Sequence, residues 1–388
     1  MHDPRKQVAW VTAFGLALFV LTGRWSLGRL DVGGDLILLE PRTWTVIGLL
    51  ALAYSPALAR NLDLEPASRS NRGAIEAFLG FMTLSVLWAP SSSLPWTKAY
   101  EVVLVLAVVV SVTRIARWTG PRLLIDKFWD ALALALGMMA LLGLVSWFGN
   151  GGGERLAVLG GGPNTFGRNM SVLLMLGLAG LFSGRQHRSL WIAAAVFGAM
   201  LGLLSGSRGA ILGMIGGGVT LVYARRMPLG RFVKIAIGVV VLAWFVVIFT
   251  DVGQSALSVF EQRFLKLTLE ERHDAGRSEI YVHAWRMGLA APLVGQGLAA
   301  FAVDGFHVYP HNIVLEAFCE GGLVGVGLLL AVLVPTLRRG LAGGAEPFAR
   351  DLAVFVVFLM SSCFTGDLYD SRGVLLVALL ISMHRSLR

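Results

Sequence analysis

Long uninterrupted apolar runs restrict this chain more than any other feature. Residues 102–112, 131–148 and 235–250 each pass without a charge. In hydrocarbon every backbone N–H and C=O needs an internal partner, so such runs fold as helices rather than as loops or open strands. Composition agrees: charged residues are 15% of 388, against about 25% in a soluble domain, and mean hydropathy is +0.71. The expected class is an all-α polytopic membrane protein in which residues 1–388 form one integral membrane domain.

Twelve spans are expected: 8–23, 43–59, 74–89, 98–116, 127–148, 167–183, 189–205, 208–224, 231–250, 311–335, 349–364 and 372–385. With a cytoplasmic N-terminus, the inner connections hold 20 of the 33 basic residues. All seven inner segments then obey the positive-inside rule, which gives an N-in, C-in topology. The high pI therefore reports orientation in a membrane and not nucleic-acid binding. The first run lacks a small-x-small site before Arg24, Trp25 and Ser26 and reads as an uncleaved signal anchor. Cys319 and Cys363 fall inside spans, where cysteine behaves as a small apolar residue, and they offer neither a disulfide framework nor a metal pattern.

One connection is long. Residues 251–310, on the outer side, hold too many apolar anchors for a solvated tail, including Phe260, Phe264, Ile280, Tyr281 and Trp285. Two amphipathic helices are expected there, 255–272 and 277–290, the second carrying Arg277, Tyr281, Trp285 and Gly288 near one face and ended by Pro292 and the Gly295-Gln296-Gly297 turn. The loop reads as a helical periplasmic cap.

Chemistry gathers on the same side. Gly160, Gly161 and Gly162 precede Pro163 and Asn164 at a span mouth, where free amides and Arg168 suit an anion. Arg208, in Ser205-Gly206-Ser207-Arg208-Gly209, lies between two spans joined by almost nothing; a guanidinium there suits a carboxylate or phosphate. Arg277, with Arg286 nine residues on, extends a possible phosphate cradle. His311 follows Pro310 at the mouth of span ten, where a helix N-terminus disfavours imidazolium and leaves a ring able to accept a proton. Asn312, Glu316 and Glu320 recur at i, i+4 and i+8 as a polar stripe beside it, orienting or structural. Ionisable groups at membrane depth cost roughly 2.5–3.5 kcal/mol each, so function is the usual reason for them. Asp367 and Asp370 stand ready to pair with Arg372 or a cradle arginine. There is no Walker loop, DxD motif, Ser/His/Asp set or zinc spacing, and no metal or cofactor is expected. One neutral histidine with several arginines suits displacement of a diphosphate by a hydroxyl.

Gly-Pro-Asn at 162–164, Ser-Arg-Gly at 207–209, Arg277 before an aromatic helix, Pro-Leu-Val-Gly-Gln-Gly at 292–297, His-Asn-Ile-Val-Leu-Glu at 311–316 and Glu-Gly-Gly-Leu-Val-Gly at 320–325 occur in that order. With Trp88-Ala89-Pro90, they resemble the O-antigen ligase/polymerase superfamily of bacterial envelope glycosyltransferases. The resemblance implies a metal-independent, GT-C-like enzyme of the bacterial inner membrane, facing the periplasm. Its donor would be a glycan on undecaprenyl pyrophosphate. It further implies that Arg208 and Arg277 hold the pyrophosphate and that His311 activates the acceptor hydroxyl, with inversion. Asn164, Arg168, Arg286, Asn312, Glu316 and Glu320 are the other candidate substrate contacts. A ligase acting on lipid A–core leads; a polymerase extending one lipid-linked glycan with another follows. A twelve-span transporter would need two matching halves, and a non-catalytic lipid-binding scaffold would tolerate loss of His311.

Overall fold

The computed structural model describes residues 3–21, 40–59, 69–149, 156–158, 162–184, 186–248, 276–342 and 346–384. Among the described residues the chain is helical throughout: α1 (Pro4–Leu21), α2 (Pro41–Ala53), α3 (Pro56–Ala59), α4 (Arg69–Leu84), α5 (Leu94–Thr119), α6 (Pro121–Gly149), α7 (Pro163–Phe182), α8 (Arg188–Leu204), α9 (Arg208–Ala224), α10 (Leu229–Ile248), α11 (Arg277–Ala290), α12 (Ala300–Asp304), α13 (Ile313–Ala342), α14 (Glu346–Ser362) and α15 (Arg372–Met383). Proline opens α1, α2, α3, α6 and α7. It costs nothing there, because the first-turn N–H has no intrahelical partner.

Within the described residues the expected spans fall on helices, but 43–59 is divided at Tyr54 and Ser55 into α2 and α3, and 74–89 runs past the end of α4 at Leu84. By length and composition, four of the described helices suffice to cross a membrane: α5, α6, α7 and α13. The expected helix 277–290 is α11. The expected helix 255–272, along with Gly160 and Gly161, lies outside the described residues.

Every residue of α15 is buried, as expected of a helix that is apolar all round. It packs against α14, α13, α4, α5 and α6. Around it, α1 packs with α6, α2 and α5, and α7 packs with α8, α9 and α14. Small residues allow the close crossing of α7 and α8. A Cβ on Gly198 would stand 2.5 Å from Leu174 N, and one on Gly177 2.5 Å from Ala195 N. The C-terminus of α1 is capped from a distance: Arg372 donates from Nε to Phe19 O (2.8 Å) and from Nη2 to Val20 O (3.0 Å).

α13 is two helices in line. Gly322 has φ 62° and ψ −159°, a conformation open essentially to glycine alone. The break is filled by residues 292–297. Gln296 N–H donates to Cys319 O (2.9 Å) and Gly297 N–H to Glu320 O (3.0 Å), while Leu323 and Val324 N–H donate to Pro292 O (2.8 Å) and Leu293 O (3.1 Å). Backbone groups freed by the break are thereby satisfied, as a low-dielectric setting demands. Gly297 presses on Ala89, whose N and Cα would stand 2.6 and 2.5 Å from an added Cβ.

The first half of α13 is held by charge. Lys98 Nζ, on the second turn of α5, lies 2.5 Å from Glu316 Oε1 and 2.7 Å from Glu320 Oε2. Both carboxylates are 1% exposed. One turn on, Glu101 accepts from Arg42 Nη1 at 2.8 Å. Arg42 also pairs with Glu40 and sits 4.9 Å from the Tyr369 ring centre.

Two outcomes follow for thermal-denaturation midpoints of the detergent-purified protein. Gly322→Ala lowers stability by about 2–4 kcal/mol, because an L-residue is strained there and its Cβ would meet Leu293 O at 2.4 Å. Gly137→Ala, in mid-helix with nothing within 4 Å of its Cβ, is neutral or raises stability by up to about 1 kcal/mol. Separately, Lys98→Met costs about 3–5 kcal/mol by stranding two buried carboxylates, and adding Glu316→Gln and Glu320→Gln recovers most of it. A triple variant no more stable than Lys98→Met alone would contradict the ion-pair account.

Candidate active site

The turn from Cys363 to Ser371, between α14 and α15, gathers several helix beginnings. Asn164, second residue of α7, faces Thr365 Oγ1 from Nδ2 at 3.5 Å. Gly209, second residue of α9, would place a Cβ 3.4 Å from Phe364 Cβ. Tyr281, on the second turn of α11, donates from Oη to Cys363 O at 3.2 Å. Helix N-termini present unsatisfied N–H groups and the positive end of the macrodipole, so their convergence favours an anion.

Arg208 and Arg277 are the first residues of α9 and α11, and both are half-buried. Arg208 begins its helix because Ser207 caps it, Oγ accepting from Ala210 N–H at 3.3 Å. The three-residue link from α8 (Ser205, Gly206, Ser207) packs directly on α7: a Cβ on Gly167 would meet Ser205 Oγ at 2.3 Å and Ala210 Cβ at 2.9 Å.

His311 stands just before α13 with φ 59°, a strained left-handed conformation for a residue with a side chain. Its ring lies 4.6 Å from that of Tyr309 and 4.9 Å from that of His307, centre to centre. Nδ1 is buried and has no hydrogen-bond partner among the described residues. Burial, then the neighbouring His307, then the charge of Arg277 push its pKa down to about 4. The ring is therefore neutral at physiological pH, and Arg277 acts on it directly.

The remaining candidates divide. Asn312 is the N-cap of α13: its Oδ1 accepts from Val314 N–H (2.9 Å) and Leu315 N–H (3.2 Å). Glu316 and Glu320 are the partners of Lys98 beneath His311. Arg168 is buried, donates from Nη1 to Asp370 O at 3.1 Å and lies over Phe358, while its Nε has no partner among the described residues. Arg372 binds carbonyls of α1 and lies 3.8 Å from Asp370 Oδ1. Arg286 is exposed and does not join Arg277: nine residues apart, the two point to opposite sides of α11. The structure thus brings Asn164, Gly209 at the start of α9 and Tyr281 of α11 to one turn, and sets the charge of Arg277 near His311. Sequence reasoning overlooked Lys98 and Tyr281. For Lys98 the signal was present, since two buried acids one turn apart need a cation and Lys98 opens a neighbouring span.

Residues 193–330 match the family model described as O-antigen ligase. No curated protein matches the chain. The matched stretch runs from α8 to the second half of α13 and contains Arg208, Arg277, the inserted loop, the break at Gly322 and His311, but neither Lys98 nor Arg168. The match over this stretch supports the O-antigen ligase/polymerase superfamily.

Proposed function

We propose that the protein is an O-antigen ligase. In this reading it is a GT-C-like glycosyltransferase of the bacterial inner membrane, with twelve spans, both termini inside and the 251–310 cap facing the periplasm. It transfers polysaccharide from undecaprenyl pyrophosphate to a hydroxyl of lipid A–core. The observation that carries the reading is His311 Nδ1, buried without a partner among the described residues, beside Arg277.

The chemistry balances without further groups. His311 takes the proton of the acceptor hydroxyl as its oxygen attacks the anomeric carbon, and the bond from that carbon to the pyrophosphate oxygen breaks with inversion. Arg208, Arg277 and the helix N-termini stabilise the charge of the departing lipid diphosphate. Asn164 and Arg168 line the same mouth. A general base with so low a pKa is weak until substrate arrives. The bound diphosphate supplies negative charge beside the ring, which favours imidazolium and raises the pKa toward the working range.

Purified protein is incubated with undecaprenyl-pyrophosphate glycan and either lipid A–core or a second lipid-linked glycan, with and without EDTA. Ligation to lipid A–core survives EDTA. It falls about 10²–10⁴-fold in His311→Ala and about 10²–10³-fold in Arg208→Ala or Arg277→Ala. Product only with the second lipid-linked glycan would make the protein a polymerase, and a strict metal requirement would overturn the mechanism.

The pH profile supplies an independent check. His311 must be neutral to accept a proton, and its pKa in the free protein is about 4. kcat/KM therefore stays flat on acidification past the usual imidazole value of about 6.5 and falls only near its own pKa. The acid limb of kcat lies at higher pH than that of kcat/KM, because bound diphosphate favours the charged ring. Coincident limbs near 6.5 would contradict this environment for His311.

A further inference from the structure

The side of α11 away from Arg277 carries a pocket for which diphosphate chemistry has no use. Glu279, His283 and Arg286 recur at i, i+4 and i+7 and so share one face. With Ser278, Val282 and Phe306 they line a cavity of about 370 Å³, within the size range of small-molecule sites. α12 forms its wall. Gly305 (φ 81°) reverses the chain after α12, bringing Phe306 back onto α11, where it stacks on the His283 ring at 4.5 Å and 18°. His283 is held from two further sides, by Asp304 Oδ2 at 2.6 Å from Nε2 and by the edge of Phe301 at 5.7 Å. Phe306 is nonetheless 47% exposed.

We infer that this pocket is a saccharide subsite, holding sugar units of a glycan substrate whose reacting end lies at His311, Arg208 and Arg277. The inference rests on the glycosyltransferase reading above. A pyranose offers a C–H-rich face and a rim of hydroxyls that both donate and accept. The fixed Phe306–His283 plate suits the face, and the Glu279 carboxylate and Arg286 guanidinium suit neighbouring hydroxyls from the acceptor and donor sides. Two carboxylates at the pocket, Glu279 and Asp304, disfavour a phosphate headgroup, and the polar lining disfavours an acyl chain. Arg277 and Arg286 are about 14 Å apart along the helix axis, so a chain bound at one end has to extend by several sugar units to reach the other.

The test uses the full chain in lipid nanodiscs and two probes freed of lipid: the oligosaccharide released from the lipid-linked glycan, and the core oligosaccharide released from lipid A–core. Calorimetry on the unsubstituted protein shows saturable binding of one of them. Phe306→Ala weakens that binding about tenfold, and so does Glu279→Gln, an exposed change that leaves the fold intact. Each raises KM for the substrate bearing that sugar by a similar factor, with kcat within about twofold. A KM change for the lipid-linked glycan assigns the pocket to the donor, and one for lipid A–core to the acceptor. Binding of neither oligosaccharide, unchanged affinity in both variants, or binding of inorganic phosphate or anionic vesicles instead would overturn the subsite. Transfer that depends on His311 would leave the glycosyltransferase reading standing after such a result. Saturable oligosaccharide binding without any transfer would sink that reading and leave the pocket.

Discussion

One ammonium group holding two carboxylates sets the geometry of the end of the bundle that carries His311. Lys98 reaches Glu316 and Glu320 at 2.5–2.7 Å, and all three are withdrawn from solvent. Taking such charges out of water is expensive, and the attraction offsets that cost only while every partner stays in place. The depth and rotation of the first half of α13 are therefore tied to the start of α5. His311 lies five residues before Glu316, so its position is inherited from that tie. The pattern continues through Glu101 to Arg42 on α2, and from there across the Tyr369 ring, over which both Arg42 and Arg372 lie. Arg372 closes it by binding the last carbonyls of α1. A run of buried charges thus joins α5, α13, α2, α15 and α1 where the bundle meets its cap.

Residues 292–297 are fastened into the bundle. An unwound turn within a long apolar helix exposes donors and acceptors that neither lipid nor apolar side chains can satisfy. Residues 292–297 meet that need with four backbone hydrogen bonds across the break at Gly322. Three short motifs that lie far apart in the chain, Trp88-Ala89-Pro90, residues 292–297 and residues 320–325, are consequently one packed unit. Gly297 fits against Ala89 and Gly295 against the Glu320 carbonyl carbon, with no room for a side chain at either. α11 leads directly into this loop, so the helix that begins with Arg277 is anchored at its far end to the helix that begins after His311.

Much of this is written locally. Apolar runs placed the helices, prolines marked their starts, and Pro292 with the Gly295 turn bounded α11 at the residues observed. What local reading cannot supply is partnership. Residues 311–335 show a hydrophobic helix, and hydropathy is blind to the φ of Gly322. The acids at 316 and 320 announce a need for a cation without saying that it stands 218 residues away. Other features were legible and simply unread. Asparagine immediately before a helix favours a cap, which is the part Asn312 plays, and helical arithmetic alone separates Arg286 from Arg277.

The arginines at this end of the bundle differ in where they stand. Arg42 and Arg372 are bound to carboxylates, ring faces and helix-end carbonyls, and removing either would strand those groups. Arg168 holds the Asp370 carbonyl through one nitrogen, while Nε, buried, has no partner among the described residues. Arg208 and Arg277 stand half-buried at helix beginnings, where the amides of α9 and α11 add fixed positive potential that needs no rearrangement when an anion arrives. That potential already acts on the protein itself, since Arg277 helps to hold His311 neutral. Burial does most of this, His307 adds to it, and the Arg277 charge acts in the same direction, so any anion bound beside Arg277 would oppose that last contribution.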